Sequence, residues 1–154
     1  MAVEIERKYL VDEPPSAEVL GAGERLRQGY LAGEGDVEVR VRIGSDWARF
    51  TVKAGGGMSR TEVELDLPVE EAEALWSHTV GRQLEKVRHR VPVPGGVAEV
   101  DRYEGALDGL WTVEVEFASA AAADAFTPPD WFGEDVTGAD GWSNGALARR
   151  GRPS

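Results

Sequence analysis

The sequence contains no cysteine, which rules out disulfides and thiolate metal sites and suits a reducing compartment. No apolar run approaches the roughly 20 residues that a membrane-spanning helix needs. The opening Met-Ala-Val-Glu-Ile-Glu-Arg-Lys puts charge where a signal peptide needs its apolar segment, so a cytoplasmic location is expected. Positive charge is scarce: 17 Lys and Arg against 28 Asp and Glu leave a formal net charge of −11. Such a field repels polyanions and argues against broad binding to nucleic acid or to an anionic membrane. An anionic ligand must therefore be captured locally. Internal repeats and low-complexity tracts are also missing.

What is present fits one globular unit. A chain of 154 residues can bury a core without dividing into domains. One domain over residues 1–150 is expected, with 151–154 as a frayed tail and 127–142, rich in Pro, Asp and Gly, as a surface connection. Period-two alternation between turn clusters dominates and predicts antiparallel strands at Val3–Val11, Glu24–Ala32, Val37–Ile43, Trp47–Ala54, Arg60–Leu67, Glu85–Val93, Val97–Tyr103 and Leu110–Phe117. Eight strands suit a closed barrel. Helical patterning is sparse. Val69–Thr79 follows a proline and starts acidic, Ser119–Phe126 is alanine-rich behind a serine cap, and a short third helix is expected at Ser143–Arg150. The predicted class is α+β: an eight-stranded antiparallel barrel with a few flanking helices.

The charges follow the same parity. Glu4, Glu6 and Lys8 share one face of the first strand, as do Arg40 and Arg42, then Arg49, Thr51 and Lys53. Further along come Glu62, Glu64 and Asp66; Lys86, Arg88 and Arg90; Glu99 and Asp101; and Glu114 and Glu116. Two arrangements satisfy this pattern. In a sandwich, the charged faces are solvated and the apolar faces make the core. In a barrel with the charges inside, basic strands grip phosphate oxygens and acidic strands hold divalent cations. Several strands carry one sign only, and same-face like charges repel, which favours the second. Clustered carboxylates suit Mg²⁺ or Mn²⁺.

The run Glu4-Ile-Glu6-Arg-Lys8 resembles the N-terminal ExExK signature of the CYTH, or triphosphate tunnel metalloenzyme, superfamily. The likeness extends through Arg40-x-Arg42, Thr-Val-Lys53, Ser59–Glu64, Lys86-x-Arg88, the segment from Asp101, Glu114-x-Glu116, and Asp135-Val-Thr…Trp142-Ser-Asn144…Leu147-Ala. The ending usually carries Tyr where Trp142 stands. The resemblance implies an eight-stranded tunnel, a divalent metal, Mg²⁺ or Mn²⁺, and a triphosphate-containing small molecule as substrate. Carried over by position, Glu4, Glu6 and Glu116 become metal ligands. Glu62, Glu64, Asp101 and Glu114 become candidates for a second metal or for orienting water. Lys8, Arg40, Arg42, Lys53, Lys86 and Arg88 become phosphate ligands, with Lys8 also among the catalytic candidates.

The compact form is most similar to short bacterial inorganic triphosphatases. No His-Phe pair of the class IV adenylate cyclase branch stands near the N-terminus. Hydrolysis of inorganic triphosphate, with nucleoside triphosphates as further substrates, is the leading expectation. A cyclase on the same fold and a non-catalytic polyphosphate- or nucleotide-binding module are the alternatives. Uncovered apolar strand faces would be compatible with a homodimer.

Other residues take plainer readings. Gly55–Gly57 lacks the Lys-Ser/Thr and following helix of a P-loop and is expected to be a turn. His78 and His89 are expected to be structural or at the surface. Tyr30 could line the tunnel but stands outside the expected site, since most strand tyrosines simply pack; Trp76, Trp111, Trp131 and Trp142 are expected as packing groups, and Arg149, Arg150 and Arg152 as a solvated basic tail.

Overall fold

A computed structural model describes residues 2–56 and 58–154. Gly57, the last of the glycine run, lies outside the described residues. Eight antiparallel strands close into a barrel: β1 (Ala2–Leu10), β2 (Gly23–Glu34), β3 (Val37–Ile43), β4 (Ala48–Ala54), β5 (Ser59–Leu67), β6 (Gln83–Val93), β7 (Gly96–Tyr103) and β8 (Trp111–Glu116). Their order around the barrel is β1-β5-β4-β3-β2-β6-β7-β8. The predicted strands fall within a few residues of these bounds. The main departure is β2, which runs on through Gly33 and Glu34 because the register shifts between Tyr30 and Ala32. That bulge inserts Leu31 and lets the strand continue. β1 divides its pairing, with residues 2–5 beside β5 and residues 6–10 beside β8.

The closed order settles the choice between sandwich and barrel, with the charged faces inside. The apolar faces point outward and are covered in two places. Tyr9, Val91, Ala98, Val100, Val113 and Val115 pack under Phe126 and Phe132. Val41, Ile43 and Ala48 pack under Ala72 of helix α2 (Val69–Trp76). A third cluster joins Leu84, Tyr103, Leu107, Leu110 and Leu147; Leu84 and Tyr103 share parity with the charged residues of β6 and β7, so this cluster plugs one end of the interior. On the remaining outer face Val3 is 60% and Leu65 58% exposed.

The helices are short and capped. α1 (Ala17–Leu20), which the sequence pattern does not signal, begins at Ser16, whose Oγ accepts from the Val19 N–H at 3.4 Å. α2 stops three residues before the predicted Thr79, because Thr79 Oγ1 donates to the Trp76 carbonyl at 2.7 Å and closes the turn there. α3 (Ala120–Ala125) and α4 (Asn144–Arg150) start behind Ser119 and Ser143, each accepting from a backbone N–H at 3.1 Å. No helix among the described residues is long and apolar enough to cross a membrane.

Segment 117–137 is pinned to β1 by Arg7, which donates to Ala123 O at 3.1 Å and to Asp135 Oδ2 at 3.0 Å. Beside it the Tyr9 ring meets Phe132 at a centroid distance of 5.0 Å, while its buried hydroxyl has no partner among the described residues. Tyr9→Ala should cost about 3–5 kcal/mol. Tyr9→Phe removes only the unpaired hydroxyl and should change stability by less than about 1 kcal/mol. Urea denaturation of both variants checks this; equal losses would mean that the hydroxyl is bonded after all.

Candidate active site

The inward parity of the eight strands lines a cavity of about 600 Å³. β1 contributes Glu4, Glu6 and Lys8; β3 Arg40 and Arg42; β4 Lys53; β5 Glu62 and Glu64; β6 Arg88 and Arg90; β7 Glu99; β8 Glu114 and Glu116. Every residue expected at the site therefore faces the cavity except Lys86 and Asp101. These two are 0% exposed and sit behind its wall. Asp101 takes Arg88 Nε at 2.8 Å and Nη2 at 2.9 Å, and Lys86 Nζ stands 2.8 Å from its Oδ2. Burial would raise the Asp101 carboxyl, but the two cations outweigh it and hold it at about 2. Burial draws the Lys86 ammonium down to about 7 despite Asp101. With both oxygens engaged, Asp101 orients Arg88, and neither Asp101 nor Lys86 lines the cavity.

The acidic side is densest where β1 passes from β5 to β8. One carboxylate oxygen from each of Glu4, Glu6 and Glu116 lies within 4.8 Å of the others. An all-oxygen set at this spacing suits a hard divalent cation. Glu4 also accepts from Lys53 Nζ at 2.9 Å, and Lys53 stands 3.5 Å from Glu62. Crowding shows in the proton affinities. Burial and the neighbouring Glu114 charge push Glu6 up to about 9, and burial with the Glu4 hydrogen bond lifts Glu62 to about 7. Burial also raises Glu116, with help from Glu4 and Glu99. Glu114 goes the other way: burial is outweighed by Lys8, Arg88 and Lys86, and its carboxyl lies well below its usual range.

On the basic side, Arg40 and Arg42 each keep a buried Nε with no partner among the described residues. Burial and the nearby Arg40 and Arg88 charges lower Arg42 to about 10. Guanidinium groups packed this closely call for an anion between them. Lys8 is more committed: its Nζ donates to the Trp142 carbonyl at 2.7 Å and stands 3.6 Å from Glu114.

Three groups line the cavity that sequence reasoning set aside or missed. Tyr30, weighed as tunnel-lining but kept outside the expected site, is 0% exposed and lies on the cavity wall. Arg49, Arg90 and Glu99 line it as well, and their parity was the available signal. The third group is the C-terminal segment 136–150. Its residues Thr137, Asn144 and Arg149 reach the cavity, and Tyr103 Oη donates to Asn144 Oδ1 at 2.5 Å. Arg149 is thus not part of a solvated tail, whereas Arg150 is exposed and stands 3.4 Å from Asp140. The histidines stay outside the cavity, and His89 Nδ1 lies 3.1 Å from Gly21 O.

Comparison with known proteins agrees with this geometry. An inorganic triphosphatase of Nitrosomonas europaea is 45% identical over 147 residues, covering 94% of this chain and 96% of that one. An inorganic triphosphatase of Acetivibrio thermocellus is 35% identical over 151 residues, covering 97% and 95%. A crystal structure of the inorganic triphosphatase NE1496 superposes with a TM-score of 0.71 at 39% identity, covering 99% of both chains. With the CYTH domain matched over residues 2–134 and a closed charged barrel built from that same stretch, the chain belongs to the CYTH domain family.

Proposed function

We propose that this chain is a hydrolase that cleaves inorganic triphosphate inside its barrel, using a divalent cation, Mg²⁺ or Mn²⁺. The carrying observation is the meeting, in one cavity, of the Glu4, Glu6 and Glu116 carboxylates with Arg40, Arg42, Lys53 and Arg88. Anion-binding and cation-binding groups are both needed for a substrate that is polyanionic and metal-bound. The related inorganic triphosphatases support the same activity and substrate.

Glu4, Glu6 and Glu116 would hold the cation, which when bound neutralises phosphoryl charge and polarises a phosphoryl oxygen. Arg40, Arg42, Lys53 and Arg88 hold the triphosphate oxygens in line, with Lys8 beside Glu114 completing the wall. Lys86 and Asp101 act through Arg88 by fixing its guanidinium. Glu62, lifted to about 7, is suited to take a proton from the attacking water near neutral pH; Glu64 and Glu114 help to orient that water. Water oxygen bonds to the terminal phosphorus, the bond from that phosphorus to the bridging oxygen breaks, and phosphate and pyrophosphate leave. The absence of cysteine supports a cytoplasmic location, and the bare outer face around Val3 and Leu65 supports a homodimer.

Phosphate release from inorganic triphosphate should require Mg²⁺ or Mn²⁺, stop with chelator and exceed release from ATP. Cyclic AMP as the product from ATP would replace this reading with a cyclase, and binding without turnover would replace it with a sensing module. Glu6→Gln should lower kcat/KM by more than the ~10–100-fold that loss of an outer-sphere partner costs, with an unchanged circular-dichroism spectrum; full turnover would remove β1 from the chemistry.

A further prediction concerns protons. Glu6, pushed up to about 9, holds its proton at neutral pH in the cation-free protein, and a cation on that carboxylate must displace it. Affinity for Mn²⁺ should therefore rise with pH towards about 9. Calorimetry in buffers of different ionisation enthalpy should detect proton release at pH 7. No release would mean that the carboxylates are already ionised.

A further inference from the structure

Arg149 stands in a position that the barrel walls do not explain. α4 enters one end of the interior, where Leu147 is buried against Leu84, Tyr103 and Leu110. Two residues on, the Arg149 guanidinium lies 5.5 Å from the centroid of the Tyr30 ring, on the cavity wall. Its Nη2 is shut off from solvent with no hydrogen-bond partner, and Arg149 forms no ion pair among the described residues. The nearby Glu38 carboxylate faces Arg60 at 3.8 Å instead.

The seat for this group is built into β2. A Cβ at Gly33 would fall 2.2 Å from Arg149 Nη2 and 2.9 Å from its Cζ, so a side chain there would push the guanidinium out of this position. Gly33 follows the bulge after Tyr30 and pairs with Glu38 on the inward parity. The ring of Tyr30 and the bare backbone of Gly33 thus hold the fork of Arg149 against the cavity with a donor to spare. The same state, a buried guanidinium nitrogen without a partner, marks Arg40 and Arg42. An ionised guanidinium is stable there when an anion takes its free donors, and its planar fork matches two oxygens of one phosphoryl group.

Resting on the triphosphatase reading, we propose that Arg149 is a substrate-binding residue. Carried into the barrel by α4 and seated on Gly33, it grips the phosphoryl group nearest that end of the cavity. The phosphate site is then shared between the barrel wall and the C-terminal helix, and Gly33 is a positioning residue that acts through Arg149.

The test uses inorganic triphosphate as probe with the full chain, Arg149→Gln, Arg149→Lys and Gly33→Ala. Binding is measured by calorimetry with chelator, and KM and kcat with Mg²⁺ present. Arg149→Gln is expected to weaken metal-free binding and raise KM about tenfold or more with a smaller effect on kcat. Arg149→Lys should recover part of the loss. Gly33→Ala, which keeps the charge but displaces its head, should weaken binding in the same direction. Unchanged affinity and KM in Arg149→Gln would overturn the proposal while leaving hydrolysis standing. Should Arg149→Gln fail to fold, unchanged affinity in Gly33→Ala overturns it equally. A wild-type chain that binds triphosphate through Arg149 but does not hydrolyse it would uphold the proposal and refute the hydrolase reading; a wild-type chain that does not bind triphosphate would refute both.

Discussion

Charges enclosed by a closed sheet have little water to neutralise them, so each must find its counter-charge within the barrel or from a ligand. The bidentate contact of Arg88 with Asp101, with Lys86 on the same carboxylate, meets that constraint internally. Lys86 and Asp101 lie behind the wall, and of this network only Arg88 faces the cavity, where it also stands 3.3 Å from Glu99. Arg88 is held there as a fixed edge against which the open part of the site is arranged. Elsewhere in the cavity the balance is left incomplete: Arg40 and Arg42 each keep a buried Nε with no partner among the described residues, and burial and carboxylate crowding raise Glu6 and Glu62 on the other side. A ligand that carries negative oxygens and a metal together completes both halves, whereas either alone completes one.

The apolar packing serves the same constraint. Because the charged faces turn inward, the usual barrel core is displaced to the outside, under α2 and the 117–137 segment, and to the plug around Leu84, Tyr103 and Leu147. Dispersed in this way, the hydrophobic contacts stabilise the wall without filling the cavity. Arg7, on the outer face of β1, joins that packing to the strand bearing Glu4 and Glu6 through Ala123 and Asp135.

Strand parity made most of this legible. Alternation placed Glu4, Arg40, Glu62 and Glu114 on one face each, and sign segregation pointed that face inward. Parity names a face but not a depth, which is why Lys86 and Asp101 could not be told from Arg88 in the sequence. A bulge at Tyr30 breaks the alternation that would have marked the residues beyond it, Gly33 included. α1 is too short to leave a periodic trace, and Arg149 belongs to a helix whose placement inside the barrel depends on tertiary packing of Leu147 rather than on any local pattern.

The divided pairing of β1 bears on how the chain is assembled. β1 precedes both of its neighbours, and its second half meets β8 only through residues 112–116. During synthesis it must wait, an open edge, until nearly three-quarters of the chain has emerged. Its alternating Glu and Lys side chains make it a poor template for stray strands in that interval. The residues that later serve the ligand thus also protect the seam before it is sealed.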